Sequence, residues 1–233
     1  PLPDSLKRYS GGSEWKKEFP IPEKEAGFYL SMSQNDGKIA MVHQYNGLAD
    51  RKIGYTHRSN GTWKTEEVDS VQGSGWGPGK YASLSFQEEK PVIFYHTAED
   101  DQFIRSEKIN GTWEREVLET ETGIFTSSDS CGEKTHVIYS SREKQFLYRG
   151  IMKNKEWSSE KIGGMTDAST SVDLENCRLH AAYHDPETGN IIYLEENTSE
   201  NVGQGKLSRL ALDHREKPRI SYYDYGVGLY YAA

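Results

Sequence analysis

The sequence predicts an all-β fold in which one unit of about four strands is repeated five times. Two nearly identical turns are the first indication: RSNGTWKTEEVD runs from Arg58 to Asp69, and KINGTWEREVLE runs from Lys108 to Glu119. Asn-Gly between two strand-like runs favours a tight hairpin, because a type I′ turn needs a positive φ at both central residues. A hairpin that recurs along the chain indicates a repeat architecture.

The period of the repeat is the second observation. Five segments share a basic or small first residue, an apolar and β-branched run, and an aromatic or polar end. They begin at Gly37, Lys90, Lys134, Arg178 and Lys217, with spacings of 53, 44, 44 and 39 residues. A period of roughly 40–50 residues with about four short strands per unit is typical of a propeller blade. The predicted fold is therefore a five-bladed β-propeller.

The remaining strands follow in order around these second strands. The first strands are FYLSMS from Phe28, YASLSF from Tyr81, IFTSSDS from Ile124, DASTSVDL from Asp167 and KLSRLALD from Lys206. The third strands are KIGYTHRS, QFIRSEK, QFLYRGIM, NIIYLEE and GLYYAA, and the fourth strands are TWKTEEVD, TWEREVLE, EWSSEKIG and SENVGQG. Gly punctuates these runs and helical periodicity is absent, which argues against helices.

The fifth unit ends at Ala233, after its third strand, and SEWKKEFPIP from Ser13 carries the Trp-then-charged pattern of a fourth strand. We therefore expect ring closure that joins the N- and C-terminal strands, because closure removes exposed sheet edges. The predicted single domain spans 1–233. Its blades cover about 27–69, 80–119, 124–163, 167–204, and 205–233 together with 8–22.

Composition limits the classes of partner. The formal net charge is −8, which argues against a nucleic-acid surface or an anionic membrane surface. The mean hydropathy is −0.82, and no run approaches the ~20 apolar residues of a membrane span. Neither nucleic acid nor a membrane is therefore a predicted partner, and no cofactor is expected. The oligomeric state is left open.

The two cysteines and three sequons bear on the compartment. Cys131 and Cys177 fall on neighbouring predicted blades near one face, so their Cα atoms could lie within the ~4.4–6.8 Å of a disulfide. Asn60, Asn110 and Asn197 each begin an N-x-S/T sequon in a turn. They are either glycan acceptors in a secreted protein or simply good turn residues. We expect a secreted glycoprotein with one disulfide.

The polar turn followed by Trp resembles the repeat of secreted lectin-like and sialidase-like propellers, and KPRISYYDYGVGLYYA resembles repeats of uncharacterised bacterial propellers. The resemblance implies ligand binding on one propeller face. Two features depart from it. The Asp of the sialidase Asp-box is absent where Ser59 and Ile109 stand. The sugar-binding Arg, Glu and Trp of fungal fucose lectins have no residue-by-residue match.

The candidate ligand face carries titratable groups in several units. Aligning the second strands places His43, His96, Ser140, His184 and Tyr223 at one position. The imidazoles would be hydrogen-bonding or acid/base groups at the channel mouth. Alternatively, each His ends a strand and packs against the next blade. A metal site is not expected, because a ring of this radius would hold the three His too far apart for tetrahedral ligation.

Two loops complete the candidate ligand-binding residues. Trp76 lies among glycines in SVQGSGWGPGKY, where it would stack on a sugar or anchor the loop, and Asp224 lies in the YDYGVG loop. Asp129 and Asp173 occupy equivalent first-strand positions and are expected to be solvated or strand-pairing acids.

The aromatic residues of the first and second strands are expected in the core between blades: Tyr29, Tyr81, Phe125, Tyr95, Tyr139, Tyr183 and Tyr222. The leading functional hypothesis is lectin-like binding of a glycan or small polar ligand at the channel mouth. The alternative is an enzyme with a single asymmetric pocket, either a glycosidase-like hydrolase or a fungal-type cyclisation or cycloaddition catalyst. A protein-interaction propeller is third. The sequence leaves open whether the protein is an enzyme.

Overall fold

A computed structural model describes residues 26–46, 50–72, 80–97, 102–120, 125–141, 144–164, 170–224 and 226–233. Within these residues, nineteen strands form five successive antiparallel sheets, and no helix occurs. In each sheet the strands follow one another in chain order, so every connection within a sheet is a hairpin. The all-β prediction is confirmed. The five sheets are called blades one to five.

The strand bounds of the first three blades are as follows. Blade one contains β1 (Ala26–Asn35), β2 (Lys38–Asn46), β3 (Asp50–Ser59) and β4 (Thr62–Gln72). Blade two contains β5 (Lys80–Gln87), β6 (Lys90–Thr97), β7 (Gln102–Ile109) and β8 (Thr112–Thr120). Blade three contains β9 (Thr126–Cys131), β10 (Lys134–Ser141), β11 (Phe146–Lys153) and β12 (Glu156–Gly164).

Blade four contains β13 (Ser171–Glu175), β14 (Arg178–Asp185), β15 (Asn190–Glu195) and β16 (Thr198–Gln204). Blade five has three described strands, β17 (Lys206–Leu212), β18 (Pro218–Asp224) and β19 (Gly228–Ala232). The segment 8–22, expected to supply its fourth strand, lies outside the described residues. The described part of the chain contains no helix that could span a membrane.

The Asn-Gly hairpins have the geometry that the sequence predicts. Asn60 and Gly61 have φ values of 50° and 80°, and Asn110 and Gly111 have values of 50° and 86°. Positive φ at both central residues is the requirement of a type I′ turn, which Asn tolerates and Gly adopts without strain. These turns connect the third strand to the fourth strand at the outer edge of blades one and two.

Four hydrophobic clusters join successive blades. The cluster between blades one and two is built around Val42, Ile53 and Tyr95, and the cluster between blades two and three around Phe94 and Tyr139. The next two join blade three to blade four through Ile138 and Tyr183, and blade four to blade five through Tyr193 and Tyr222. Burial of these apolar side chains is what holds neighbouring sheets face to face.

A ladder of serine hydroxyls joins the first strands of successive blades. Each hydroxyl accepts a hydrogen bond from a backbone N–H on the first strand of the next blade. The residue that precedes this N–H in the chain occupies the next position of the ladder. The links are Ser31 to Leu84 N (3.2 Å), Ser83 to Ser128 N (2.8 Å), Ser127 to Val172 N (3.0 Å) and Ser171 to Leu210 N (3.0 Å). The inner wall therefore includes polar groups that link the first strand of each blade to the first strand of the next.

The predicted disulfide is present. Cys131 at the end of β9 bonds to Cys177 in the β13–β14 turn, with a Cα–Cα distance of 5.3 Å. The bond ties the first strand of blade three to blade four, 46 residues further along the chain. It reinforces covalently a junction that the serine ladder already spans.

Candidate ligand-binding cavity

The first strands of all five blades surround a cavity of about 570 Å³. Its described lining comes from β1, β5, β9, β13 and β17 and from residues just before them: Tyr29–Ser33, Tyr81–Leu84, Phe125–Asp129, Thr170–Val172 and Arg209. Because each blade contributes its innermost strand, the cavity lies along the axis that the blades share. Its size is in the range of pockets that bind small molecules.

Three aromatic rings form an arc on one side of the cavity. The ring centroids of Tyr29 and Tyr81 are 4.7 Å apart, and those of Tyr81 and Phe125 are 4.5 Å apart. Each ring stands two residues before a ladder serine: Ser31, Ser83 or Ser127. Phe125 is buried, whereas Tyr29 and Tyr81 are half-buried. The three rings therefore form a continuous aromatic surface contributed by blades one, two and three.

The backbone at the arc adopts an uncommon conformation. Tyr29 and Tyr81 have φ values of 52° and 58°, and Leu207, at the same position of blade five, has a φ of 55°. A positive φ costs energy for a residue with a bulky side chain, and such residues are concentrated at ligand-binding sites. At all three positions the pairing of the first strand with the second strand shifts register. The shift turns the side chain relative to the regular strand alternation.

Hydrogen-bonding groups of the cavity lie next to the aromatic arc. The hydroxyls of Ser31 and Ser127 each accept one backbone N–H and retain a hydrogen that they can donate. Burial, with the neighbouring Tyr29 as a second cause, raises the pKa of the Tyr81 hydroxyl, which therefore stays protonated at neutral pH. The cavity thus combines donors and acceptors with an aromatic surface.

Two carboxylates make similar hydrogen bonds between blades, each two residues after a ladder serine on its first strand. Asp129 accepts the backbone N–H groups of Ser130 (2.8 Å) and Leu174 (3.0 Å), and Asp173 accepts that of Leu212 (2.8 Å). Burial, with the charge of Asp173 as a lesser cause, raises the pKa of Asp129 to about 6. The expectation that these acids are strand-pairing groups agrees with these contacts, although they join first strands of different blades and Asp129 also lines the cavity.

His43 does not occupy the same structural position as His96. A bulge recurs between the third and fourth strands, at Ile53 in blade one and at Phe103 in blade two. The second-strand residues paired with these two are Gln44 and His96, so the predicted superposition is off by one residue in blade one. A one-residue shift moves a side chain to the opposite face of a sheet.

His43 therefore corresponds to Tyr95 of blade two. His43 Nε2 lies 2.9 Å from the hydroxyl of Thr56, and the Tyr95 hydroxyl lies 3.1 Å from that of Ser106. In both blades the contacted hydroxyl is two residues beyond the third-strand residue that pairs with the His or Tyr. The imidazole is fully buried. In blade one, the His performs the packing role that Tyr has in the other blades.

His96 and His184 do share one position and are both buried. His96 Nε2 lies 2.9 Å from the hydroxyl of Thr126, which lines the cavity. Burial lowers the pKa of His96 to about 3, so the ring is neutral near pH 7 and does not serve as an acid there. His96 therefore contacts a residue that lines the cavity but does not line the cavity itself.

The other predicted ligand-binding residues lie elsewhere. Tyr223 is partly exposed, and the Asp224 carboxylate accepts the Gly226 N–H (2.9 Å) in the β18–β19 turn. The described lining of the cavity includes neither of them and none of the three His. Trp76 belongs to 73–79 and lies outside the described residues. Among those that are described, no three His, Cys, Asp or Glu side chains converge to hold a metal ion.

Tyr29, Tyr81 and Phe125, which the sequence predicts in the core between blades, line the cavity instead. A detectable signal was nevertheless present, because an aromatic residue stands two positions before an inward Ser in three of the five units. Residue type gives no indication of the left-handed backbone that turns Tyr29 and Tyr81 toward the cavity, because Tyr rarely adopts this conformation.

Neither a protein-family model nor a curated protein matches this chain in sequence. Solved structures match it in fold. The fucose-specific lectin from Aleuria aurantia superposes with a TM-score of 0.52 at 11% identity, over 88% of this chain and 60% of the lectin. The Hadza microbial sialidase gives 0.54 at 10% identity, over 85% of this chain and 53% of the sialidase.

The β-propeller domain of the trilobed protease from Pyrococcus furiosus gives a TM-score of 0.53 at 12% identity, over 90% of this chain and 68% of that one. The chain thus spans little more than half of the sialidase and three fifths of the lectin. At these identities the similarity establishes the class of fold. The protein has a β-propeller fold like that of lectin and sialidase propellers, as the sequence resemblance implied.

Proposed function

We propose that the protein binds a glycan or another small polar ligand in the central cavity. The observation that carries this proposal is the aromatic arc of Tyr29, Tyr81 and Phe125, which lies beside the ladder hydroxyls. A sugar ring has an apolar face that stacks on aromatic rings and an edge of hydroxyls that need hydrogen-bonding partners. The fold of the similar lectin and glycan-processing enzymes supports the proposal at the level of architecture alone.

Two predicted residues have supporting roles in this proposal. The loop that contains Trp76 connects β4 to β5, and β5 begins one residue before Tyr81. We propose that Trp76 extends the aromatic surface at this end of the cavity. His96 is a positioning residue that orients Thr126 through their hydrogen bond. His43, His184, Tyr223 and Asp224 remain proposals as ligand-binding residues, and the described geometry gives them no contact with the cavity.

The enzyme alternative has one specific observation in its favour. Asp129 is a cavity-lining carboxyl with a pKa of about 6, which is in the range of a general acid in glycoside hydrolysis. Its Asn variant would abolish hydrolysis of an aryl glycoside while leaving glycan binding in place. Both carboxylate oxygens already accept backbone N–H groups, so the binding function is favoured.

We also propose that residues 1–233 form one propeller domain, which closes when segment 8–22 pairs with β19. Support comes from the contrast among blades: four have a fourth strand, whereas blade five has three described strands. The exposed apolar side chains of β19, Leu229 and Tyr231, offer a surface that such a strand would cover. Propellers also occur without such closure, since the similar Pyrococcus domain is described as having an open velcro topology.

Secretion and glycosylation complete the proposal. The Cys131–Cys177 disulfide favours an oxidising compartment. Asn60, Asn110 and Asn197 are exposed, as glycan acceptors must be. Mass spectrometry of protein secreted from eukaryotic cells, before and after peptide N-glycosidase treatment, tests the three sites. Absence of a mass shift would contradict the glycoprotein prediction.

Binding is tested by saturation-transfer NMR and calorimetry against a panel of mono- and disaccharides. Tyr81→Ala removes the central ring of the arc, and we expect it to weaken binding by about fivefold or more, because a stacking contact contributes ~1 kcal/mol or more. Tyr148→Ala is the matched control, since Tyr148 is half-buried on β11 and does not line the cavity. Unchanged affinity in the Tyr81 variant would place the site elsewhere.

A further inference from the structure

The serine ladder changes chemistry at its fifth position. Each backbone donor of the ladder follows the next ladder residue in the chain, and the last donor, Leu210, follows Arg209. Arg209 therefore stands where blades one to four have Ser31, Ser83, Ser127 and Ser171. A guanidinium has five N–H donors and no acceptor, so it cannot accept a backbone N–H as a serine hydroxyl does. Ladder geometry consequently does not explain why an arginine stands here.

Arg209 has few partners of its own. Within the described chain, its one hydrogen bond runs from Nη1 to the carbonyl of the preceding Ser208 (3.1 Å), and it makes no ion pair. The two buried arginines of the described chain differ from it. Arg105 pairs with Glu107 and Glu116, and Arg149 pairs with Glu160 and Glu196. Arg209 is thus a cation with most of its donors unused.

Arg209 is also a lining residue of the cavity. Arg209 is exposed and lines the cavity together with Tyr29 and Ser31 of blade one. No other Lys or Arg occurs among the described lining residues. Asp129, the charged lining residue of opposite sign, already directs one carboxylate oxygen to Ser130 N and the other to Leu174 N. Arg209 therefore keeps its charge available to a ligand.

We infer that the ligand of this cavity carries an anionic group, a carboxylate or a sulfate on a sugar, which is bound by Arg209. This inference rests on the proposed function. The sugar ring would lie against the aromatic arc of blades one to three, and its oxyanion would point toward blade five. The planar fork of Arg matches two oxygens of one oxyanion. The net charge of −8 opposes an anionic ligand only weakly, because charges more than ~8 Å apart are largely screened at physiological salt.

The test compares sugars that differ in one group. Methyl β-glucuronide and methyl β-glucoside differ in the carboxylate, and galactose 6-sulfate and galactose differ in the sulfate. Calorimetry at low salt and in 0.5 M NaCl should show the anionic member of at least one pair binding about tenfold more tightly. That preference should shrink at high salt. Arg209→Ser restores the residue of the other blades and should abolish the preference with the melting temperature unchanged, whereas Arg209→Lys should retain part of it.

The outcomes separate this inference from the proposed function. Equal affinity for the neutral and anionic members would overturn the anionic assignment and leave sugar binding standing. An anionic preference that survives in Arg209→Ser but is lost in Tyr81→Ala would overturn the role of Arg209. No binding of any member would overturn both proposals.

Discussion

One carboxylate oxygen of Asp129 accepts a hydrogen bond from the backbone N–H of Leu174, 3.0 Å away, across the junction between blades three and four. The same carboxyl has a pKa of about 6, above its ordinary 3.8, chiefly because it is buried. A buried charge thus serves as a structural link between blades. This link gives the protein a specific response to pH.

Asp129→Asn should change how stability depends on pH. Because the folded-state pKa is raised, the folded state binds more protons than the unfolded state between pH 3.8 and about 6. The contribution of Asp129 to stability is therefore full at low pH and falls as pH rises through this window. At pH 8 the charged group costs up to ~3 kcal/mol, since one pKa unit corresponds to ~1.4 kcal/mol.

Asn keeps one acceptor for Leu174 N–H and loses the second acceptor, so we expect a net gain at pH 8 of about 1–2 kcal/mol. At pH 4 the variant should show no gain. Urea unfolding from pH 4 to pH 8 measures the difference between variant and wild type. Asp36→Asn, in the exposed β1–β2 turn, is the matched control and should give a flat difference. A flat difference for Asp129→Asn as well would show that Asp129 is not the titrating group.

His96→Gln should affect stability with the opposite sign. Burial lowers the pKa of His96 to about 3, so between pH 3 and the ordinary 6.5 the folded state binds fewer protons than the unfolded state. The stability that neutral His96 supports is full above pH 6.5 and is lost as pH falls through this window.

The Gln variant should therefore lose less stability on acidification than wild type, and ligand affinity should show no His96-dependent titration between pH 6 and 8. Chemical unfolding between pH 3 and 7 measures the first effect, and calorimetry of ligand binding between pH 6 and 8 measures the second. His214→Gln, in the exposed β17–β18 turn, is the control and should lose as much stability on acidification as wild type does. Equal acid sensitivity of the His96 variant and wild type would contradict the burial argument.

Gly203→Ala should destabilise the junction of blades four and five. A Cβ on Gly203 would lie 2.6 Å from the hydroxyl of Tyr222, and its φ of 151° disfavours any side chain. We expect a loss of about 2 kcal/mol or more in the free energy of unfolding. Gly189→Ala separates the two causes, because Gly189 has a φ of 71° and open space around it. Equal losses in both variants would attribute the effect to backbone conformation alone.

Glu119→Ala should weaken the junction of blades two and three. One oxygen of Glu119 accepts hydrogen bonds from Tyr139, Trp157 (3.1 Å) and Ser159 (2.6 Å), all on blade three. Removing it leaves the buried Tyr139 hydroxyl without this acceptor, which costs ~1–3 kcal/mol. Glu114→Ala, exposed on the same strand, is the control. Thermal unfolding that is identical for the two variants would contradict this role.

Deletion of residues 1–22 tests ring closure. If segment 8–22 completes blade five, the deletion exposes the β19 edge and should lower the melting temperature by several degrees. Trp15→Ala should reproduce part of the loss, because Trp113 and Trp157 of the complete blades donate to Glu66 and Glu119 of the preceding blade. Lys17→Ala is the control. A truncated protein that melts like the full chain would rule out closure by this segment.

The sequence by itself determined the repeat, the hairpins and the disulfide. These features depend on short-range chemistry: Asn-Gly pairs tolerate positive φ at Asn60 and Asn110, alternating runs form strands, and a regular period places Cys131 and Cys177 on adjacent blades. The all-β class followed from the same local signals, since each strand is specified by its own turn and its own pattern of side chains.

Only the tertiary structure decided which residues line the cavity. His43 and His96 look alike in a repeat alignment that begins at Gly37, but β2 begins at Lys38. His43 therefore lies one residue earlier in its strand than His96 and on the opposite face of its blade. Tyr29 and Tyr81 reach the cavity through left-handed backbone that their residue type does not favour. Arg209 stands out only because the equivalent positions of the other four blades carry serines whose hydroxyls link the first strands. Strand register, backbone strain and the meeting of five distant strands all arise from packing between blades, which local sequence patterns do not specify.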